Sequence, residues 1–366
     1  FLSAFIPIEI KTTVNQISSY SLVIPVLLLI ILALLNLENK KYFILFIILS
    51  LLLPFIHPIS FLFAFSLLFY LIILSTETIQ ISKAKKEAIL FSLFVILLIN
   101  FLLYKSALVR YGVNIIWQNI PSGLFSNYFK TFNILEILYL ISIIPLILGV
   151  IGIYIGLFKK KDSNLILLAS FILSTLLLMS LKLINLQIGV LFISLPLLIA
   201  SSKTLANIYY YFSLTKFIKF KKYFNLALFI LIILISILPS ILIALSLPSY
   251  DKEISDFTWL KENTLEDSVI LVPYEYGNML TYFSNRKNVA DNNFLLAQNV
   301  EERLNDIDTI YRTVFKIKGL ELIKKYNVKY IYASPVILNK YDLTRIPYIE
   351  DECFTLVKED IYEVKC

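Results

Sequence analysis

Between Tyr42 and Leu74 the chain carries no Asp, Glu, Lys or Arg. A helix crossing a bilayer takes about 20 residues, so this run is too long for one span and too apolar for a surface loop. Pro54 and Pro58, on either side of Ile56 and His57, divide it into two short spans joined by a turn at the membrane surface. His57 is then a loop residue, placed at a hairpin tip where a substrate cavity would suit it. Similar apolar runs recur up to Leu247, separated by short clusters of lysine. With 58% hydrophobic residues and a mean hydropathy of +0.80, the chain is too apolar for a soluble globule and reads as an integral membrane protein.

Charge is unevenly spread. Beyond Pro248 the chain is rich in Asp, Glu, Lys, Arg and Asn, which divides it into a membrane domain, 1–248, and a tail of one small domain's length, 249–366. The expected architecture is a polytopic α-helical membrane domain of about eight spans followed by a small extracytoplasmic α/β domain. The spans begin near Tyr20, Tyr42, Pro58, Ala88, Ile134, Asn164, Gln187 and Leu226, with a long connector, 105–133, that holds Arg110 and Trp117 but no Asp or Glu. Lysine clusters at 40–41, 83–86, 159–161 and 216–222 fall in every second loop. The positive-inside rule puts all four in the cytoplasm and the tail outside the cell membrane. The basic, aromatic segment from Tyr209 to Phe224 is expected to form an interfacial helix on an anionic leaflet. Phe1 is not Met and no basic leader precedes the first apolar run, so a fragment or a processed chain is expected.

The net charge of +7 does not point to nucleic acid, because the lysines sit where topogenic signals belong. There is no Gly-rich phosphate loop, and one His with two Cys offers no metal-ligand spacing. Chemistry concentrates after the short apolar run Val269–Val272, which reads as a buried strand closed by Pro273. Tyr274, Glu275 and Tyr276 follow, then Gly277, which permits a turn or a close backbone approach. Arg286 and Asp291 come within folding-back distance. These residues, clustered after a strand, are expected to line one ligand-facing surface.

Further strands are expected at Lys329–Ala333, Cys353–Lys358 and Ile361–Cys366, with helices at Ile254–Glu262, Asn299–Thr313 and Gly319–Tyr326. If the terminal hairpin turns at Glu359-Asp360, Cys353 lies directly opposite Cys366, with Cα atoms about 4.5 Å apart. That spacing admits a disulfide.

Several of these pieces resemble the C-terminal two thirds of a GT-C superfamily membrane glycosyltransferase, nearest the catalytic subunits of oligosaccharyltransferases. Trp259-Leu260-Lys261-Glu262-Asn263-Thr264 is similar to the start of that group's external domain. Pro273-Tyr274-Glu275-Tyr276-Gly277 stands where the group has Trp-Trp-Asp-Tyr-Gly, and Asn285-Arg286 with Ala290-Asp291-Asn292-Asn293 resembles its downstream run. The resemblance implies a polyprenyl-phosphate-linked sugar donor, a reaction on the outer face, and the bilayer as a partner. It also implies Mg²⁺ or Mn²⁺ bound by acidic residues upstream of Phe1, where the main catalytic carboxylate would lie. Within this chain it leaves Arg110, Lys105 or Arg286 as cations for the donor phosphate and Glu275 or Asp291 to hold an acceptor. Pro, Tyr and Glu replace the group's Trp, Trp and Asp, so the acceptor is open. The residues alone also fit a non-enzymatic membrane protein with an external interaction domain. A transporter fits less well, because charges within the spans are almost absent.

Overall fold

The computed structural model describes residues 6–13, 19–128, 133–246, 249–350 and 352–366. The chain forms two compact units. One comprises Phe1–Arg110 with Asn127–Leu247, the other Tyr111–Ser126 with Pro248–Cys366. The composition shift at Pro248 thus coincides with a structural boundary. Composition did not reveal that the short segment Tyr111–Ser126 groups with the α/β unit.

The first unit is helical. Its helices are α1 (Pro7–Thr13), α2 (Tyr20–Leu35), α3 (Lys40–Ile56), α4 (Ser60–Thr76) and α5 (Lys83–Tyr111), and, beyond the short α6 (Ser122–Tyr128), α7 (Ile134–Ile141), α8 (Ile143–Tyr154), α9 (Ser163–Ser180), α10 (Leu186–Ser213), α11 (Lys221–Ile232) and α12 (Leu238–Ser246). Among the described residues five helical stretches are long and apolar enough to cross a membrane: Lys83–Phe125, Ile143–Lys160, Ser163–Ser180, Leu186–Ser213 and Lys221–Ser246. Helices α2 and α4 are apolar but shorter. The stretch α11–α12 leaves Leu226, Phe229, Leu234, Ile241 and Leu245 exposed, a surface suited to lipid.

Helix contacts in this unit follow the rules of an apolar solvent, in which close backbone approach and interhelical hydrogen bonds hold helices together. Gly149 and Gly152 bring α8 onto α10. A Cβ at 149 would lie 2.5 Å from Leu197 O, and one at 152 would lie 2.8 Å from Ala200 O. Asn100 of α5, fully buried, donates to Ser60 Oγ at the start of α4 (2.9 Å) and to Ile96 O (2.8 Å).

Two expectations are corrected here. Helix α5 runs on to Tyr111, taking up the first part of the supposed connector, because Lys105–Arg110 holds good helix formers and places Arg110 favourably in the last turn. The segment around 209–224 is not a single interfacial helix. It is the end of α10, a 3₁₀ turn at Lys216–Phe220 and the start of α11. Residues 129–132 of the connector lie outside the described residues.

The second unit is an α/β sandwich. Helix α13 (Asp251–Asn263) precedes β1 (Val269–Leu271), α14 (Tyr274–Ser284), β2 (Lys287–Asn288), α15 (Val300–Arg312), α16 (Lys316–Lys325), β3 (Val328–Tyr332), α17 (Pro335–Lys340), β4 (Phe354–Lys358) and β5 (Ile361–Val364). The sheet order is β2-β1-β3-β5-β4. The first three strands are parallel and the last two form an antiparallel hairpin on β3. Its core is built from Phe257, Ile270, Leu271, Leu280, Ile310, Tyr311, Ile331 and Tyr332.

Cys353 and Cys366 are bonded, with Cα atoms 5.2 Å apart. The register differs by one residue from the direct pairing. Lys358 and Leu356 pair with Ile361 and Tyr362, so Val357 is skipped, and Lys365 N donates to Cys353 O. A two-residue type I′ turn needs two left-handed residues, whereas in this turn only Asp360 is left-handed (φ 68°). The two-residue turn is kept, the bulge at Val357 shifts the register beyond it, and Cys366 reaches Cys353 diagonally.

Candidate functional site

Strand β1 leads through α14 to β2 on one side, while β3 returns on the other. In such a sheet the crevice for ligands lies beyond the carboxyl ends of the two strands where the winding reverses. Here those strands are β1 and β3. Tyr311 of α15 ties their ends together: its buried hydroxyl donates to Tyr332 O (2.8 Å) and lies 3.3 Å from Leu271 O.

Each strand is followed by a helix. After β1, Pro273 occupies the N-cap of α14, so Tyr274, Glu275 and Tyr276 form its first turn. After β3, the Ser334 side chain caps α17 and Pro335 begins it. The last residue of α17, Lys340, reaches back across the switch point. Its Nζ lies 2.8 Å from both carboxylate oxygens of Glu275. The same ammonium sits 5.1 Å from the ring centre of Tyr274 and 5.3 Å from that of Tyr341. Tyr341 in turn stacks on Tyr311 with ring centres 4.8 Å apart and donates to Asp308 Oδ1 (3.1 Å). Burial, reinforced by Asp308, pushes the Tyr341 phenol up, so it stays a donor.

The other flank of the turn is also aromatic. Tyr276 lies edge-on to Tyr250 at 6.4 Å, and burial, aided by the carboxylate of Glu253, pushes its phenol up to about 12. Tyr274 packs on Phe294 at 5.7 Å. Asn119, from the segment that joins this unit ahead of α13, lies 3.3 Å from Phe294 O and Ala297 O, with Nδ2 as donor.

The five tail residues expected on one surface do not share one. Tyr274, Glu275 and Tyr276 stand together at the start of α14. Gly277 is inside the helix, not in a turn. A Cβ there would come within 2.6 Å of Ala290 O and 2.7 Å of Asp291 Cβ, so the glycine is required by close packing. Asp291 accepts from Asn293 N (2.8 Å) and borders an open groove of about 510 Å³ with Thr281, Asn285, Asn288 and Arg286.

Arg286 is buried at the far end of α14. Asn285 before it is left-handed (φ 53°), which turns the chain so that the guanidinium lies under the C-terminus of α13. There it donates to Lys261 O (2.6 Å), Thr264 O (2.6 Å), Thr264 Oγ1 (2.9 Å), Ser284 O (3.3 Å) and Asn285 O (3.4 Å). A guanidinium has five N–H donors, and five acceptors engage them. Arg286 is thus a helix cap whose charge meets the negative end of α13.

The remaining two candidates belong to the helical unit. His57 accepts from Ile59 N at Nδ1 (3.0 Å) and packs 5.0 Å from Tyr20. Burial lowers its pKa to about 4, so at neutral pH it has no positive charge to offer a phosphate. Arg110 is exposed in the last turn of α5. Among the described residues no three His, Cys, Asp or Glu side chains are grouped as a metal ion would require.

Asn119 falls in the 105–133 connector, whereas Lys340 and Tyr341 are not marked by any expectation from the sequence. Ser334-Pro335, a capping residue followed by proline, is the signal that would have placed a helix there and Lys340 at its end.

No protein-family model and no curated protein matches the chain. Among solved structures it is similar to the oligosaccharyltransferase AglB of the archaeon Archaeoglobus fulgidus in complex with an inhibitory peptide and a dolichol-phosphate. That similarity has 14% identity and a TM-score of 0.44, covering 90% of this chain and 44% of that one. A second structure of an oligosaccharyltransferase from the same organism, tethered to an acceptor peptide with an NVT sequon, gives 14% identity and a TM-score of 0.41, covering 85% and 44%. The chain resembles an archaeal oligosaccharyltransferase. It spans less than half the length of those enzymes. At such identity no residue role transfers, and the chemistry of this chain rests on its own side chains.

Proposed function

We propose that the chain belongs to a multi-pass glycosyltransferase of the cell membrane that takes its sugar from a polyprenyl-phosphate-linked donor, with the α/β unit outside the cytoplasm. One observation carries the reading. The Tyr274-Glu275-Tyr276-Gly277 motif stands at the carboxyl ends of β1 and β3, with Glu275 held by Lys340 between two tyrosine rings. A fixed carboxylate and ammonium bracketed by aromatic faces suit a hydroxyl-bearing acceptor, because carboxylates accept from hydroxyls and rings pack on C–H faces. In this reading Glu275 and Tyr274 hold the acceptor and Tyr276 borders it, Asp291 stands apart on the groove beside Arg286, and Arg110 and Lys105 of the helical unit are the cations available to a phosphate. Arg286 and His57 support the fold instead. The main catalytic carboxylate and any divalent ion would be supplied by residues outside this chain.

The test is photolabelling of membranes carrying the protein with a benzophenone-bearing polyprenyl-phosphate sugar. Labelling that unmodified polyprenyl-phosphate sugar competes away supports the proposal. Labelling equal to that of an unrelated multi-pass protein overturns it.

One observation favours the alternative, an external interaction domain without chemistry. Val314 and Phe315, on the turn between α15 and α16, and Ile317, in the first turn of α16, are 69%, 72% and 75% exposed, as a protein-docking tip would be. Under that reading substitutions at Phe315 would matter and those at Glu275 would not.

A further inference from the structure

Between Asp162 and Asp251 the sequence contains no acidic residue, yet Lys216, Lys219, Lys221 and Lys222 fall within seven positions of it. Lys216 and Lys219 lie on the 3₁₀ turn between α10 and α11, Lys221 and Lys222 open α11, and all four are exposed. The turn is held shut from both sides. Phe212 stacks on Phe224 with ring centres 4.7 Å apart, and Lys221 Nζ lies 5.0 Å from the ring centre of Tyr209.

In two other lysine clusters of the helical unit one lysine meets a carboxylate: Lys161 lies 2.8 Å from Glu77, and Lys83 lies 3.9 Å from Glu87. Among the described residues none of the four lysines at 216–222 has a carboxylate partner, so their charge is uncompensated within the protein. Exposed Phe220 stands among them, exposed Tyr223 follows them, and exposed Tyr210 and Tyr211 precede them at the end of α10. Both flanking helical stretches are apolar enough to cross a membrane, which puts the turn at the level of the lipid headgroups. Amphipathic rings favour that depth, and basic side chains there attract anionic lipid.

We propose that the 212–224 turn is a binding site for anionic phospholipid, in which Lys216, Lys219, Lys221 and Lys222 engage headgroup phosphates while Phe220 and Tyr223 pack on the upper acyl chains. The inference is independent of the glycosyltransferase reading.

The test is native mass spectrometry of the purified full-length protein in detergent, titrated separately with dioleoylphosphatidylglycerol and dioleoylphosphatidylcholine. The wild type is expected to retain more phosphatidylglycerol than phosphatidylcholine. The K216Q/K219Q/K221Q/K222Q variant should lose that preference by at least about tenfold, given the contribution of each lysine near a charged surface. The corresponding four-arginine variant should keep it, as should K159Q/K160Q, which removes charge elsewhere. Equal retention of the two lipids overturns the proposal. So does a preference unchanged in the glutamine variant, lost in the arginine variant or lost in K159Q/K160Q. Inorganic phosphate at millimolar concentration should not displace the lipid. Displacement would mean that a free anion suffices, which also overturns it.

Discussion

Lys340 Nζ lies equidistant, at 2.8 Å, from the two carboxylate oxygens of Glu275, joining the end of α17 to the start of α14 across the switch point of the sheet. The two side chains are 37% and 42% exposed, and ion pairs so placed contribute about 0–1 kcal/mol. Lys340→Ala should therefore shift the thermal midpoint of the purified protein by no more than such a loss would, while freeing Glu275 to rotate. A large loss of stability would show that the pair is structural.

Arg286→Gln removes the charge that caps α13 and leaves the part-buried carbonyls of Lys261 and Thr264 without these donors. The expected cost is about 1.5–3 kcal/mol. Arg286→Lys should recover only part of it, because an ammonium cannot reproduce the fork. Thermal unfolding of both variants checks this, and an unchanged midpoint for the glutamine variant would contradict the capping role.

Gly277→Ala drives a methyl group into Ala290 O and the Asp291 backbone. Overpacking of this kind costs about 1–3 kcal/mol. Limited proteolysis near Asn292 and Asn293, both exposed, should become faster in the variant, since that segment must move. Unaltered cleavage would mean that the contact is relieved some other way.

Glu9, on the seven-residue α1, has a side-chain oxygen that is buried without a hydrogen-bond partner among the described residues. Burial raises its pKa from 4.5 to about 7. The folded chain thus binds this proton more tightly than the unfolded chain. Its contribution is present below about pH 4.5 and is lost as pH rises to about 7. The thermal midpoint should fall over that window in the wild type and fall less in Glu9→Gln. An identical slope in both proteins would rule the assignment out.

The disulfide closes a loop between residues separated by 13 positions and holds the last strand, which would otherwise fray. Loop closure of that size contributes about 3 kcal/mol. Cys353→Ser with Cys366→Ser should lower the unfolding midpoint accordingly, and the denatured, unreduced wild type should titrate no free thiol. Two reactive thiols would refute the bridge.

The division into an apolar helical part and an α/β tail was legible in the sequence because hydrophobic runs and charge report directly on solvent. The β1 strand, α15 and the terminal hairpin were legible through their periodicity. Helix α14 was not, since Pro273 and Gly277 are both turn signals. One of them turned out to cap a helix and the other to let it pack on Ala290 and Asp291. Arg286 illustrates the same difficulty. Its partners, Lys261 and Thr264, lie more than twenty positions away, and nothing local distinguishes an arginine that binds an anion from one that caps a helix. Lys340 is 65 positions from Glu275, a pairing that only the reversal of the sheet creates.

The central claim is that the Tyr274–Glu275 surface serves transfer from a polyprenyl-phosphate-linked sugar. It is tested most directly by supplying radiolabelled donor to membranes carrying the protein and following label into water-soluble or protein-bound product. The account predicts transfer by the wild type, a loss of at least about tenfold in Tyr274→Ala and Glu275→Ala, as expected when a positioning contact is removed, and stability in both variants close to that of the wild type. No transfer by the wild type, or transfer undiminished in Glu275→Ala, would contradict it.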